Sequence, residues 1–178
     1  LFGVDASTVP GRPRAICSLG IYAVEMATET STQTTAATNL GGWKAGVIGG
    51  LGGGLVFGAM MTMMMPNIIE MAIPGMYGLD GGVAGWTIHM AHSAVLGVVF
   101  AAVATAVPQY TDTTAKSLAA GVVYGIVLWA VLATVVMPAW VGALLPMNPP
   151  VPDVNPMSLI GHIVYGGLLG GVYAAFTN

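Results

Sequence analysis

The sequence predicts an all-α integral membrane protein whose four transmembrane helices form two tandem repeated hairpins, related by a pseudo-two-fold axis along the membrane normal. Three observations carry this. With 56% apolar residues, 6% charged residues and 26 glycines in 178 positions, the chain departs from soluble domains, in which about 25% of residues are charged. Four stretches, Ala45 to Met65, Val83 to Val107, Ser117 to Met137 and Met157 to Phe176, hold no Asp, Glu, Lys or Arg. Each matches the about 20 helical residues that cross a hydrocarbon core. Finally, Lys44, Thr62, Met65, Pro66 and Pro74 return 72 residues later as Lys116, Thr134, Met137, Pro138 and Pro146. So diverse a set at one offset marks a duplicated hairpin. Gly49 and Gly53 keep the register as Gly121 and Gly125, and Phe57 meets Trp129. A membrane barrel is excluded, because its strands alternate lipid-facing and lumen-facing residues while these runs are continuously apolar.

Residues 1–43 read as a flexible N-terminal tail, with Met26 as an alternative native start. The apolar patch Ala15 to Val24 is too short to span. It follows Arg12 and Arg14 in the order of a secretory signal, yet no small-residue cleavage site follows it. From Met26 to Asn39 the composition is Thr, Ser, Ala and Gln without hydrophobic periodicity. Cys17 is alone, which rules out an internal disulfide. Residues 44–107 form the first transmembrane hairpin, 108–116 a cytoplasmic linker and 117–178 the second hairpin. Pro66 and Pro138 each follow the last apolar turn, where the missing N–H ends or bends a helix. The segments Asn67 to Ile73 and Ala139 to Leu145 continue the helices as interfacial turns. Beyond them, Pro146 to Asp153 is a stiff extended stretch.

Orientation follows from few charges. Arg12, Arg14, Lys44 and Lys116 all precede the first span or separate the second from the third, which puts them and both termini in the cytoplasm. Glu70, Asp80 and Asp153 then lie in extracytoplasmic loops, and Trp43, Trp86, Tyr110 and Trp140 anchor span ends at the interfaces. Both hairpins enter with one polarity, so the duplication is parallel rather than inverted. Small residues recur every four positions: Gly46, Gly50, Gly54 and Gly58 in the first span, Gly121 and Gly125 in the third, Gly166 and Gly170 in the fourth. Such stripes let helix backbones approach where lipid supplies no hydrophobic drive for pairing. They predict a compact four-helix unit or a tight oligomer; a bare stripe lining a narrow pore is the competing reading. The run Met60, Met61, Met63, Met64 and Met65 points around the whole helix, so it packs rather than converging on a copper ion.

The three histidines, His89, His92 and His162, fall in the outer halves of the second and fourth spans. An ionisable group within a span is a functional hypothesis by default. His92 lies 26 residues after Pro66 and His162 lies 24 after Pro138, hence at similar depths in equivalent helices. Three readings follow. His92 and His162 are placed to ligate a b-type haem between the helices; His89, His92 and His162 with Glu70 offer a small-metal site; or each imidazole bonds a neighbouring helix and fixes register without a ligand.

Catalytic motifs are missing: the sequence has no phosphate-binding loop, nucleophile elbow, HExxH or paired intramembrane carboxylates. Four basic residues also cannot neutralise the phosphates of a nucleic acid. The segments Lys44 to Leu51, Gly85 to His92 and Gly161 to Gly166 resemble those of small four-span membrane proteins of halophilic microbes. Members of that group sometimes carry a histidine-kinase label. This chain has no nucleotide-binding domain and no soluble phosphoacceptor helix, so the resemblance implies a fold and a habitat rather than that activity. The expected function is a non-enzymatic integral membrane subunit or scaffold, embedded in membrane lipids and joined to its own copies or a larger membrane complex. The alternatives are an electron-transfer subunit with haem b between His92 and His162 and, more weakly, a small-solute or ion conduit.

Overall fold

The computed structural model describes residues 41–178. Residues 1–40 of the expected tail, with the patch Ala15 to Val24, the start at Met26, the basic pair Arg12 and Arg14 and the lone Cys17, lie outside the described residues, whereas Gly42 and Trp43, expected at the end of the tail, already form the first turn of a helix. Within them the chain is helical, without a strand. α1 is Gly42–Met64, α2 the single turn Ile73–Gly75, α3 Gly81–Ala106, α4 Thr114–Leu128, α5 Met137–Leu144 and α6 Pro156–Thr177. Four helical segments are long and apolar enough to cross a membrane: Gly42–Met64, Gly81–Ala106, Thr114–Leu144 and Pro156–Thr177.

The third span is longer than its apolar run because it does not stop at Pro138. Wide π-helical turns over Trp129–Val136 connect α4 to α5, and within them Met137 N–H donates to the Leu132 carbonyl, five residues back. Pro138 has no N–H to give the Thr134 carbonyl. The backbone N–H of Asp153 supplies it instead, at 2.8 Å, so the Pro-rich loop folds back onto the helix it follows. The first hairpin resolves its prolines differently. After Pro66 a π-helical turn, Ile68–Ala72, leads into α2, and Ile69, Ile73 and Pro74 are buried. A Cβ on Gly85 would collide with the Ile69 carbonyl oxygen, so only glycine lets this turn lie against α3. Polar caps start the later helices: Thr113 Oγ1 accepts from Lys116 N–H, and Asn155 Oδ1 accepts from the N–H groups of Met157 and Ser158 ahead of Pro156 at the first helical position.

Glycine sets the helix order in space. α1 packs on α3 where Gly46 meets Gly97 and Gly50 meets the Ser93 carbonyl. On its adjacent face α1 packs on α6, with Gly49 against Leu169 and Gly53 against Tyr165. α6 in turn packs on α4, with Gly166 against Gly121 and Gly170 against Ser117. At each of these places a Cβ would come closer than 3.1 Å to a neighbour. The order is therefore α3, α1, α6, α4, and the glycine stripe of α1 is filled by neighbouring helices rather than lining a channel. A two-fold axis along the membrane normal would carry the α1–α6 contact onto α3 and α4, yet α1 and α6 pack extensively while α3 and α4 barely meet. The register-matched pairs Gly49/Gly53 and Gly121/Gly125 all face α6. The two segments that match at the 72-residue offset are packed unequally.

Candidate functional site

The histidines gather near one end of this core but serve different partners. His89, on the α1-facing side of α3, is buried and its Nε2 lies 2.8 Å from the Gly54 carbonyl. A carbonyl only accepts, so His89 is protonated at Nε2 and holds α3 against α1. His162 does the equivalent within α6, its Nδ1 2.7 Å from the Ser158 carbonyl, which places its proton on Nδ1. His92 is one turn further along α3 and turned outward; its Nε2 meets the Tyr77 hydroxyl at 2.7 Å on the exposed side of the helix.

Phe57 of α1 organises the two inner imidazoles. Its ring meets His162 edge-on at 4.7 Å between centroids and His89 at 5.8 Å. A Cβ on Gly161 would strike the same ring, so the glycine beside His162 makes room for a phenyl group. Trp86 closes the other flank of His89 at 6.1 Å. A haem with His92 and His162 as axial ligands needs a flat space between their rings. That space does not fit this arrangement, because Phe57 stands on His162 while His92 is turned away towards Tyr77. Glu70 lies exposed on the π-helical turn, its side chain beside Gly82. Among the described residues no three His, Cys, Asp or Glu side chains come together as a metal-binding group. The metal reading of His89, His92, His162 and Glu70 therefore gains no cluster here.

Several other polar groups of these helices bond backbone carbonyls. Tyr165 donates to the Ser93 carbonyl at 2.8 Å, Ser93 Oγ to the His89 carbonyl at 2.8 Å, and Tyr124 to the Leu96 carbonyl at 2.8 Å. The Tyr165 bond ties α6 to α3 across the bundle, and the Tyr124 bond ties α4 to α3. Thr62, Thr87, Thr105 and Thr134 donate to the carbonyl four residues back. Among the described residues, Trp129 Nε1 is the buried side-chain polar atom left without a partner. Phe57, Tyr77, Tyr124 and Tyr165 were not legible as partners of these groups; the pairing of Phe57 with Trp129 in the repeat was the only hint of the first. The methionine run divides as its spacing requires, with Met61 in the core and Met63 and Met64 exposed. Comparison of the chain with protein-family models, with curated proteins and with solved structures finds no match.

Proposed function

We propose that this protein is a non-enzymatic integral membrane subunit, a scaffold of glycine-packed helices that assembles with its own copies or with a larger membrane complex. One observation supports it above the others: His89, His162, Ser93, Tyr124, Tyr165 and Thr62, Thr87, Thr105 and Thr134 bond backbone carbonyls, and His92 bonds Tyr77. Polarity spent on backbone fixes helix register and leaves no convergent set of donors for a substrate. Both termini are assigned to the cytoplasm on the positions of Lys44 and Lys116.

The electron-transfer alternative predicts a coloured protein. Purified from cells grown with ample haem, the protein is expected to show no Soret band and less than a tenth of an equivalent of transition metal, while light scattering reports a defined oligomer or complex. A stoichiometric haem or metal that is lost on replacing His162 overturns the scaffold reading. The conduit alternative fares no better, since Ile69 and Pro74 are fully buried at one end of the bundle and Phe57 fills the space between α1 and α6. Liposome flux above that of empty vesicles would revive it.

A further inference from the structure

The weak meeting of α3 and α4 leaves a groove of about 450 Å³ between them. Its walls are Phe100, Val103 and Ala104 on α3 and Ala120, Val123 and Val127 on α4. Lys116 stands at one mouth. Tyr124 is part of the wall, where its hydroxyl bonds the Leu96 carbonyl and its ring lies tilted against Phe100 at 5.4 Å between centroids. The lining is apolar, so water gains no partners inside it, while an empty groove of this size forfeits dispersion contacts along both walls. Hydrocarbon has to fill it. One acyl chain suits this apolar lining and matches it in length. From Lys116 to Val127 the helix rises about 17 Å, close to half of the about 30 Å hydrocarbon core.

The charge at the mouth completes the match. Lys116 Nζ is half exposed, lies 2.9 Å from the Asp112 carboxylate and donates to the Gln109 carbonyl at 3.1 Å. An ammonium has three donors, so one remains for a phosphate at the level where a headgroup sits. The geometry points to a resident phospholipid, one acyl chain in the α3–α4 groove and its phosphate on Lys116. This inference rests on the proposed placement in a membrane but not on the scaffold role, and holds whether or not the protein has a larger partner.

The test is native mass spectrometry of the full chain released from nanodiscs of equimolar dioleoyl phosphatidylglycerol and dioleoylglycerol. The two lipids share their chains and differ in the phosphate. One phosphatidylglycerol per protomer is expected to survive release, favoured over dioleoylglycerol at least fivefold. Lys116→Gln brings that preference below twofold. Ala120→Phe fills the groove and removes the retained lipid; Val123→Trp, at a rim position 60% exposed, does the same without touching the core and keeps wild-type helicity by circular dichroism. No retained lipid, equal retention of dioleoylglycerol by the wild type, or undiminished retention in Val123→Trp overturns the proposal. So does a cross-linked dimer that buries Val123 and Val127 without lipid.

Discussion

At Gly97 the whole difference between a packed and an unpacked pair of helices is one hydrogen atom. A Cβ there would strike the Gly46 carbonyl oxygen, whereas one on Gly52 would meet nothing within 4 Å. Gly97→Leu is therefore expected to destabilise the bundle by about 1–3 kcal/mol or more, as overpacking does. Gly52→Ala should change stability by less than about 1 kcal/mol, the span of the propensity difference between the two residues. Unfolding in mixed micelles followed by circular dichroism separates the two, and equal effects would refute the assignment of the stripe to packing. Phe57→Ala removes the ring between His89 and His162 and should cost about 3–5 kcal/mol through the cavity it leaves. Tyr165→Phe removes one interhelical hydrogen bond, which in lipid averages about 0.6 kcal/mol and reaches about 1.7. A loss outside that range by the same measurement would mean the hydroxyl does more than join α6 to the Ser93 carbonyl.

The helices themselves are shaped by prolines whose consequences depend on context. Pro66 and Pro138 stand at the same 72-residue offset, but the first leads into a buried loop turn and the second into a helical segment that continues to Leu144. The physical difference lies in who satisfies the freed carbonyl: at Thr134 it is Asp153 N–H. Pro138→Ala restores a local donor for Thr134, so the Asp153 amide loses its acceptor. Hydrogen exchange at Asp153 should accelerate at least tenfold, while amides in the middle of α6 keep their protection; unchanged exchange at Asp153 would show that the loop is held by other contacts. The third span is also the least covered, 22% buried against 33–39% for the others, as expected of the helix at the end of the spatial row.

Across the molecule, the joint between the hairpins runs through α1 and α6 and hardly at all through α3 and α4. Leu169, fully buried against Gly49, is thus a structural centre, and Leu169→Ala should cost about 2–5 kcal/mol. Tyr124→Phe, which cuts the bond from α4 to α3, should cost no more than about 1.7 kcal/mol and leave the assembly helical. If the tyrosine substitution proved the more damaging, the order α3, α1, α6, α4 would be in doubt. The imbalance also accounts for the groove: helices that touch at Tyr124 and diverge beyond it leave space that glycine would otherwise have closed.

The count of helices long and apolar enough to span, their helical character, the role of glycine as the contact residue and the approximate limits of all but the third were legible in the sequence. Each follows from local composition: a run of apolar residues long enough for a bilayer, and spacing of four that places small side chains on one face. The helices that carry the histidines were legible too, since each histidine falls within one of the apolar runs. Which way each ring turns was not, because rotation about a helix axis is settled by the neighbours that fill the facing grooves. Phe57 reached the space beside His162, Tyr77 drew His92 outward, and Gly54 received His89. Nor could a repeat of sequence announce a repeat of contacts. Similar segments of a single chain meet different neighbours, and close packing amplifies that difference: where a glycine lets one pair of backbones touch, the helices on the far side must part, and the surface left between them belongs to the tertiary structure alone.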